Sequence, residues 1–331
     1  MEFKKYKNEV SASFPWYMLE KEKQLEYVEN FCPTHLKEDI NNFVQDGYLV
    51  VKNSIDNSVC DEAIKGFDDL VAKNSEIFEG ATKINDNDIR SKNNTDMYHR
   101  IGNTHLASKR IANAFIANKA LEHVYFIFRS KPALYTSLYY QRGSAQDIHR
   151  DTPYFTTRPM HYYVGFSISF EDSNEENGCL EVMKGGHLIE ELDLKFIIES
   201  LGKDINNIMP TDDDTWFRYQ SMMKSDCLRN GLVVEPVYTK KGDTIIWHPQ
   251  LPHGGSVIQK LKSRNSLINH LTPVGMPVYH QDIFFNKDAD VPYDTDWLYT
   301  VFENCFIRKG DSININNVRN VIISSIDSDK L

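Results

Sequence analysis

The tripeptide His149-Arg150-Asp151 is the sequence feature that most constrains the fold, because a histidine and a carboxylate stand two residues apart. Along an extended strand, side chains alternate between the two faces, so His149 and Asp151 would project together while Arg150 points away. A histidine and a carboxylate at one strand end can bind the same metal ion. The tripeptide therefore favours a β-rich core that brings in a third ligand from elsewhere.

A candidate for the third ligand is His253, about 100 residues further on, in the segment from Ile245 to Ser256. Two neutral imidazoles and one carboxylate form the facial arrangement that binds non-haem Fe(II) and leaves positions open for dioxygen and a co-substrate.

Beyond this segment, Arg264 and Ser266 would share one face of another strand. A guanidinium beside a hydroxyl suits bidentate binding of a carboxylate, as a dicarboxylic oxo acid requires.

The order of these motifs resembles the core of the phytanoyl-CoA dioxygenase family. The resembling segments are Gln146 to Asp151, Glu171 to Leu180, Gly185 to His187 and Gly242 to His248, followed by His253 and Arg264. The resemblance covers roughly residues 35 to 275. The chain departs from several relatives two residues after the distal histidine, where Gly255 replaces a serine and Ser256 follows.

The resemblance implies a mainly β fold with helical additions (α+β). Its core would be a double-stranded β-helix, of jelly-roll or cupin-like type, flanked by N-terminal helices. It also implies an enzyme that depends on Fe(II), 2-oxoglutarate and O2, in which His149, Asp151 and His253 are the catalytic metal ligands. The co-substrate contacts that we expect are Arg264, Ser266, Gln146 and Trp247.

The implied reaction is hydroxylation of an unactivated C–H bond in a small metabolite or biosynthetic intermediate, with release of succinate and CO2. A carboxylate at Asp151 argues against a halogenase, in which that position is empty so that halide can bind the iron. Desaturation or cyclisation stays open, because both begin with the same hydrogen abstraction. Two further alternatives are a non-catalytic binding or scaffold module, which need not retain these residues, and a zinc or manganese hydrolase, which leaves Arg264 unexplained.

Five side chains near the expected metal turn are candidates for substrate contact. An arginine among them would suit an anionic or polyhydroxylated molecule, but each also fits an ordinary structural role. The candidates are His99, Tyr140, Arg142, Arg158 and Trp216. We interpret His248 and His270 as core histidines or as histidines that support the ligands.

Composition restricts the partners and the compartment. With 37 basic and 47 acidic residues, the formal net charge of −10 repels phosphate backbones, so we expect no nucleic-acid partner. The sequence contains no apolar run of about 18 residues and no apolar N-terminal signal segment, so we expect no membrane segment. Five scattered cysteines without Cys-x-x-Cys spacing favour the reducing cytoplasm. The expected partner is an anionic or polar small-molecule substrate, and a homo-oligomer is left open.

We expect one oxygenase domain over residues 1–331. Its expected parts are an N-terminal arm (1–33), helical support (34–130), a β-helix core (131–275) with an insert (188–230), and a C-terminal cap or oligomer contact (276–331). The polar stretch over residues 74–97 predicts a surface loop or a cover over the active site. Residues 203–230 lack periodicity, so we interpret them and their acidic triplet as a solvated loop.

Local patterns predict the elements around the site. Helical spacing of apolar residues predicts a helix from Thr34 to Gly47, another from Asp56 to Lys73 and a third from Lys109 to Phe128. Residues of high β propensity mark the core strands. The predicted strands are Tyr48 to Val51, Ala133 to Tyr140, His161 to Phe170, Leu232 to Val237, Asp243 to Trp247 and Lys262 to Thr272.

Overall fold

The structure of the protein is a computed structural model, and it describes most of the chain. The described residues are 4–7, 10, 14–79, 97–260, 262–291, 297–315, 319–325 and 327–329. Residues 80–96, the greater part of the predicted loop or active-site cover, therefore lie outside the described residues.

The helices of the described residues concentrate before residue 130 and between residues 194 and 229. They are α1 (Lys21–Phe31), α2 (Lys37–Asp46), α3 (Asn57–Lys73), α4 (Ser75–Phe78), α5 (Lys109–Ile116), α6 (Leu121–Phe128), α7 (Leu194–Ser200), α8 (Asp213–Arg229) and α9 (Gln281–Phe285). None of them combines the length and the apolar content that crossing a membrane requires.

The strands occupy most of the remaining described chain. They are β1 (Lys4–Lys5), β2 (Tyr48–Val51), β3 (Ile101–Gly102), β4 (Pro132–Tyr140), β5 (Thr156–Thr157), β6 (Val164–Ser169), β7 (Leu180–Met183), β8 (Val234–Val237), β9 (Thr244–Trp247), β10 (His253–Gly255), β11 (Ser266–Pro273), β12 (Val278–Tyr279), β13 (Leu298–Val301), β14 (Phe306–Arg308), β15 (Ser312–Ile315) and β16 (Arg319–Ile322).

Two sheets form the β-helix core. The large sheet has the order β1-β13-β14-β4-β11-β6-β9-β2; in addition, β3 pairs with β4, β15 with β3, and β16 with β15. The small sheet has the order β10-β7-β8. The C-terminal segment that we predicted as a cap thus adds strands to the large sheet, and β1 of the N-terminal arm pairs with β13.

A cluster of apolar side chains joins the two sheets. Val182 and Val237 extend from the small sheet, and Ile245 and Trp247 extend from the large sheet; all four belong to one buried cluster. Because apolar residues from both sheets meet, each sheet buries one face against the other. The mainly β core with helical additions agrees with the predicted fold class.

The N-terminal helices cover the outer face of the large sheet. Phe67 of α3 stacks on Tyr139 of β4, with ring centroids 4.0 Å apart, and Phe115 of α5 packs edge-on against Phe166 of β6. Burying each phenylalanine stabilises the fold by about 1.5–3 kcal/mol. Because side chains alternate along β4, Tyr140 points to the opposite, inner face, where the candidate site lies.

The predicted helix from Lys109 to Phe128 is two helices, so the prediction of one continuous helix was wrong. The side chain of Asn118, between α5 and α6, accepts a hydrogen bond from the Ala120 amide at 2.9 Å. It also donates to Thr244 Oγ1 of β9 at 2.9 Å. This tertiary contact fixes the break, while the apolar pattern continues across it.

The prediction of a solvated loop over residues 203–230 was also wrong, because α8 occupies most of that stretch. The Asp212 carboxylate accepts a hydrogen bond from the Thr215 amide at 3.0 Å and caps the helix. Asp213 and Asp214 follow in the first turn, where the helix dipole favours negative charge. The acidic triplet is therefore a helix start.

Candidate metal centre

Three side chains predicted as metal ligands meet at one buried point. His149 Nε2 lies 3.3 Å from Asp151 Oδ1, and His253 Nε2 lies 3.3 Å from Asp151 Oδ2. One ligand atom from each residue lies within 4.8 Å of the other two. All three residues are buried, with at most 9% of their surface exposed. The group could hold one metal ion.

Backbone pairing brings the two histidines together. The His149 amide donates to the His253 carbonyl at 2.8 Å, and the His253 amide donates back at 2.9 Å. His149 forms this isolated bridge rather than part of a longer strand, whereas His253 begins β10. Arg150 points away from the ligands, as expected, and its guanidinium donates to the Gly186 carbonyl at 2.9 Å.

Both imidazoles are oriented by backbone carbonyls. His149 Nδ1 lies 2.8 Å from the carbonyl of Asp147, and His253 Nδ1 lies 3.0 Å from the carbonyl of Leu251. Because a carbonyl can only accept, each Nδ1 carries the hydrogen in these contacts. The lone pair of each Nε2 then faces Asp151, which is the tautomer that a metal ion requires.

The charges of the group suit a cation. Burial lowers the pKa of His149. Burial alone would raise the pKa of Asp151, but the proximity of the imidazoles of His253, His149 and His270 holds that pKa well below its usual range. Burial would likewise lower the pKa of His253, and the attraction of Asp151 outweighs it and raises the pKa. An ionised carboxylate thus stands between the imidazoles.

His270 supports the carboxylate from β11. Its Nε2 lies 3.3 Å from Asp151 Oδ2, and its ring stacks on Phe155 with centroids 3.8 Å apart. The stacking fixes the plane of the imidazole. His248 lies elsewhere, with Nε2 3.2 Å from the carbonyl of Tyr17.

Helix α8 holds the backbone between the first two ligands. The Arg150 amide donates to Gln220 Oε1 at 2.9 Å, and Gln220 Nε2 donates to the Arg150 carbonyl at 2.9 Å. The side-chain amide of Gln220 therefore replaces the neighbouring strand that this backbone lacks. We call this pair of hydrogen bonds the Gln220 clamp. Sequence reasoning missed it, because Gln220 lies in the stretch interpreted as a loop.

A polar network extends the clamp to the segment before His253. Glu191 accepts hydrogen bonds from Tyr219 at 3.0 Å and from Gln250 Nε2 at 2.7 Å. Thr152 Oγ1 donates to the Pro249 carbonyl at 2.8 Å and also lies 2.9 Å from Gln250 Oε1. The insert is thus tied to both segments that carry metal ligands.

A cavity of about 890 Å³ opens over the ligands. Beside His149, Asp151 and His253, its wall contains six other residues that we predicted as co-substrate or substrate contacts. These are Arg264, Ser266, Gln146, Trp247, Tyr140 and Trp216. Such a volume accommodates a small organic molecule together with a co-substrate.

Arg264 is a buried cation in this wall. Its Nη1 donates to the Gly178 carbonyl at 2.6 Å, and its Nη2 lies 3.5 Å from Ser266 Oγ. Burial lowers its pKa. Its Nε has no hydrogen-bond partner, and no carboxylate among the described residues pairs with the guanidinium. A buried cation without a counter-charge is costly, so an anion bound here would offset that cost.

Three predicted substrate contacts are absent from the cavity wall that the described residues form: His99, Arg142 and Arg158. Arg158 donates to the carbonyls of Ile283 and Asn286 at the end of α9. His99 packs against the Tyr140 ring, and burial together with the charge of Arg142 lowers its pKa to about 3. His99 thus packs behind a wall residue, and Arg158 holds α9.

Several wall residues were not among the predicted contacts. Tyr154 and Phe155 follow Asp151 in a turn, where the Asp151 carbonyl accepts from the Tyr154 amide at 2.8 Å. The Tyr154 ring lies 4.5 Å from the ring of Trp216. Their closeness in sequence to Asp151 was a usable signal. His280 also lines the cavity, but nothing in its local sequence indicates this position.

The family model described as Phytanoyl-CoA dioxygenase (PhyH) matches residues 43–266, which is more than half of the chain. The chain belongs to the phytanoyl-CoA dioxygenase family. This confirms the resemblance on which the sequence analysis relied. A curated member of the family, the phytanoyl-CoA dioxygenase domain-containing protein 1 homolog of Dictyostelium discoideum, is 25% identical over 184 residues. The match covers 55% of this chain and 53% of that protein, so the chain spans about half the length of this relative.

Solved structures share the fold of this family member. The epimerase SnoN, in complex with Fe3+, alpha-ketoglutarate and nogalamycin RO, superposes with a TM-score of 0.56 at 14% identity, over 83% of this chain and 99% of that chain. The carbocyclase SnoK from nogalamycin biosynthesis gives a TM-score of 0.54 at 14% identity, over 81% of this chain and 94% of that chain. At these identities the likeness concerns the fold alone, and it agrees with the predicted cupin-like core.

Proposed function

We propose that this family member is an Fe(II)- and 2-oxoglutarate-dependent dioxygenase that hydroxylates an unactivated C–H bond of a small molecule, with release of succinate and CO2. The observation that carries the proposal is that His149, Asp151 and His253 converge in the same cavity as the buried cation Arg264. Membership of the family and a fold shared with an enzyme solved with Fe3+ and alpha-ketoglutarate support it.

The donor set fits ferrous iron. Two imidazole nitrogens and one carboxylate oxygen on one side of an ion leave the opposite positions for a co-substrate and dioxygen. When bound, the iron would supply the activation of dioxygen that hydroxylation needs. The residues of the chain would hold the ion: His149 and His253 through nitrogens that the backbone orients, and Asp151 through a carboxylate that His270 supports.

The surroundings of Arg264 fit the distal carboxylate of 2-oxoglutarate. The guanidinium is buried, lies beside the Ser266 hydroxyl and retains an unpartnered Nε. Charge-assisted hydrogen bonds from an arginine to a carboxylate are strong and directional. Gln146 and Trp247 line the same cavity, and the Trp247 ring lies 5.0 Å from the ring of His253. We assign these residues to positioning the co-substrate.

The aromatic wall would restrict water at the reacting carbon. Tyr154, Phe155 and Trp216 line the cavity around the ligands, and the Trp216 ring lies 6.0 Å from that of His149. An apolar surround strengthens electrostatic interactions and limits side reactions with water. The position of the substrate relative to these rings would decide which C–H bond is attacked.

We also propose that the described parts work as one domain in the reducing cytoplasm, on an anionic or polar small molecule rather than on nucleic acid. One apolar cluster includes residues from Trp16 to Ile323, which supports a single folding unit. All five cysteines are buried and unpaired, as suits a reducing compartment that also supplies ferrous iron.

The test of the metal site is a titration with Fe(II) and 2-oxoglutarate under strict exclusion of oxygen. We expect a weak metal-to-ligand charge-transfer band in the visible, because the oxo acid would chelate the iron. Asp151→Ala should abolish the band. A correctly folded protein that gives no band would contradict the proposal.

A second arm of this test addresses the co-substrate. Arg264→Leu should weaken 2-oxoglutarate binding by about 2–5 kcal/mol, because it removes a buried charged contact, while Fe(II) binding is retained. The control is Arg229→Leu, which changes an arginine whose side chain is 73% exposed on α8. Equal 2-oxoglutarate affinity in both variants would show that Arg264 is not the anchor.

Succinate release that depends on oxygen and substrate excludes a hydrolase or a scaffold, and the product mass separates hydroxylation from desaturation or cyclisation.

A further inference from the structure

Asp213 differs from the two acidic residues beside it at the start of α8. Lys203 forms ion pairs with both Asp212 and Asp214. In the part of the chain that the structure describes, Asp213 forms no ion pair. Asp213 lines the cavity, whereas Asp212 and Asp214 do not. Its carboxylate therefore stands at the cavity without a cation paired to it.

A buried glutamine joins the start of α8 to the start of α9. The Gln281 side chain donates to the Asp212 carbonyl at 2.9 Å, and it accepts from the Asp212 amide and from the Tyr154 hydroxyl, each at 3.1 Å. Gln281 is fully buried. Asp213 and His280 are the chain neighbours of this hydrogen-bonded pair, and both line the cavity. The two residues and Tyr154 therefore belong to one corner of the cavity.

His280 contributes a hydrogen-bond acceptor to this corner. Its Nδ1 lies 3.0 Å from the Tyr154 carbonyl. Because a carbonyl can only accept, Nδ1 carries the hydrogen in the neutral ring, and Nε2 carries the lone pair. Among the described residues, no group forms a hydrogen bond with this Nε2. The ring thus offers an acceptor to a molecule in the cavity.

Two aromatic rings complete the corner. Trp216 follows Asp213 by three residues on α8, so the two side chains project from the same face of the helix. The Trp216 ring lies 4.5 Å from the Tyr154 ring and 6.0 Å from the ring of His149. Aromatic faces attract cations. We call Asp213, His280, Tyr154 and Trp216 the α8–α9 corner.

The carboxylate dominates the charge at the α8–α9 corner. Burial raises the pKa of the Tyr154 hydroxyl, and the charge of Asp213 raises it further. Arg100 also lines the cavity and acts to lower this pKa, but by less than Asp213 raises it. The charge of Arg100 acts on Tyr140 as well, as that of Arg264 does. The corner therefore favours a positively charged group.

We propose that the α8–α9 corner binds a protonated amine of the organic substrate. The ammonium group donates hydrogen bonds to Asp213 and His280, and its charge lies against the rings of Tyr154 and Trp216. The proposal rests on the proposed function and deepens it, because it narrows the polar substrate to an amine and disfavours an anion. The rest of the substrate extends past Trp216 toward the metal ligands.

The experiment measures the binding of three matched probes by calorimetry: 3-phenylpropylamine, 3-phenylpropanol and 3-phenylpropanoate. The protein is loaded anaerobically with Fe(II) and saturated with 2-oxoglutarate. We expect the amine to bind at least about fivefold more tightly than the alcohol, since an ion pair and a cation–π contact each add to its binding. The iron-free protein should show the same preference, because the proposed contacts do not involve the metal.

Asp213→Asn should remove most of this preference. The matched control is Asp214→Asn, because Asp214 lies in the same helical turn, is 81% exposed and does not line the cavity. His280→Asn keeps a nitrogen for the Tyr154 carbonyl but lacks Nε2, so it should weaken amine binding by about threefold. His280→Gln, whose longer amide reaches the position of Nε2, should lose less. Circular dichroism and melting temperature establish that each variant folds.

Equal binding of amine and alcohol, no binding of the amine, or an unchanged preference in Asp213→Asn would overturn the proposal. Tighter binding of the acid would also overturn it, because Arg100 would then determine the preferred charge. A preference that disappears without iron would show that the amine binds the metal instead. A failure of the proposed function gives a different pattern, in which 2-oxoglutarate does not bind while the iron-free titrations still test the corner.

Discussion

Replacing Gln220 with methionine tests whether the Gln220 clamp shapes the metal site. The change keeps the length of the side chain but removes both hydrogen bonds to the Arg150 backbone, each 2.9 Å long. Arg150 is 1% exposed, so water cannot replace the lost partners. Each unsatisfied backbone group costs about 1–3 kcal/mol, and the two together lower the free energy of unfolding by about 2–6 kcal/mol.

The clamp holds the residue between His149 and Asp151, so its loss should also disturb the ligand geometry. Substitutions of residues that orient metal ligands typically weaken metal affinity by about 10–100-fold. The assay is anaerobic titration with Co(II), whose visible absorption reports its coordination, together with urea unfolding of the metal-free protein. We expect both weaker binding and a changed Co(II) spectrum.

The matched control is Gln24→Met in α1. Gln24 is 2% exposed, and its Nε2 donates to the Leu19 carbonyl at 2.7 Å, so this variant also removes a buried glutamine hydrogen bond. It should lose stability but retain Co(II) affinity and spectrum. If Gln220→Met behaves in the same way, the clamp is merely structural and the reasoning is refuted.

Two further predictions concern stability. Burial lowers the pKa of His187 to about 4, below the value of about 6.5 expected in the unfolded chain. Between these two pH values the native state binds fewer protons than the unfolded state, so the free energy of unfolding falls as the pH drops. His187 alone contributes about 3 kcal/mol to this fall. His187→Gln should reduce the slope of unfolding free energy against pH in that window, as measured with urea, and the remaining slope belongs to groups such as His161, whose pKa burial also lowers to about 4. An unchanged slope would show that His187 does not contribute. A Cβ at Gly165 would overlap the Trp247 indole, so Gly165→Ala should destabilise the protein by about 1–3 kcal/mol in thermal or urea unfolding. Adding Trp247→Leu, which clears this space, should restore part of that loss, whereas simply additive losses would argue against the overlap.

The strands nearest the site could be predicted because their local patterns agree with their tertiary positions. Tyr48–Val51 is a strand over the residues predicted, and β9 begins one residue after the predicted start. The convergence of His149, Asp151 and His253 was also predictable from the order of the family motifs, although residues 149–151 form an isolated bridge at His149 rather than the strand that we assumed.

Helix α8 was missed because its buried face mixes polar residues with apolar ones, so its apolar periodicity is weak. Thr215 and Gln220 are buried with hydrogen bonds to Asp212 and Arg150, whereas Tyr219, Met223 and Cys227 belong to apolar clusters. The Asp212 cap, followed by Asp213 and Asp214 in the first turn, was a local signal of the helix start.

The backbone pairing of His149 with His253 sets the stage of biosynthesis at which metal can be acquired. His149 and Asp151 are translated about 100 residues before His253, so the third ligand is missing when they first emerge from the ribosome. A tridentate site that forms only when β10 closes onto His149 couples metal binding to completion of the fold. A metal ion that needs all three ligands would therefore be selected after His253 has been translated, by the folded site.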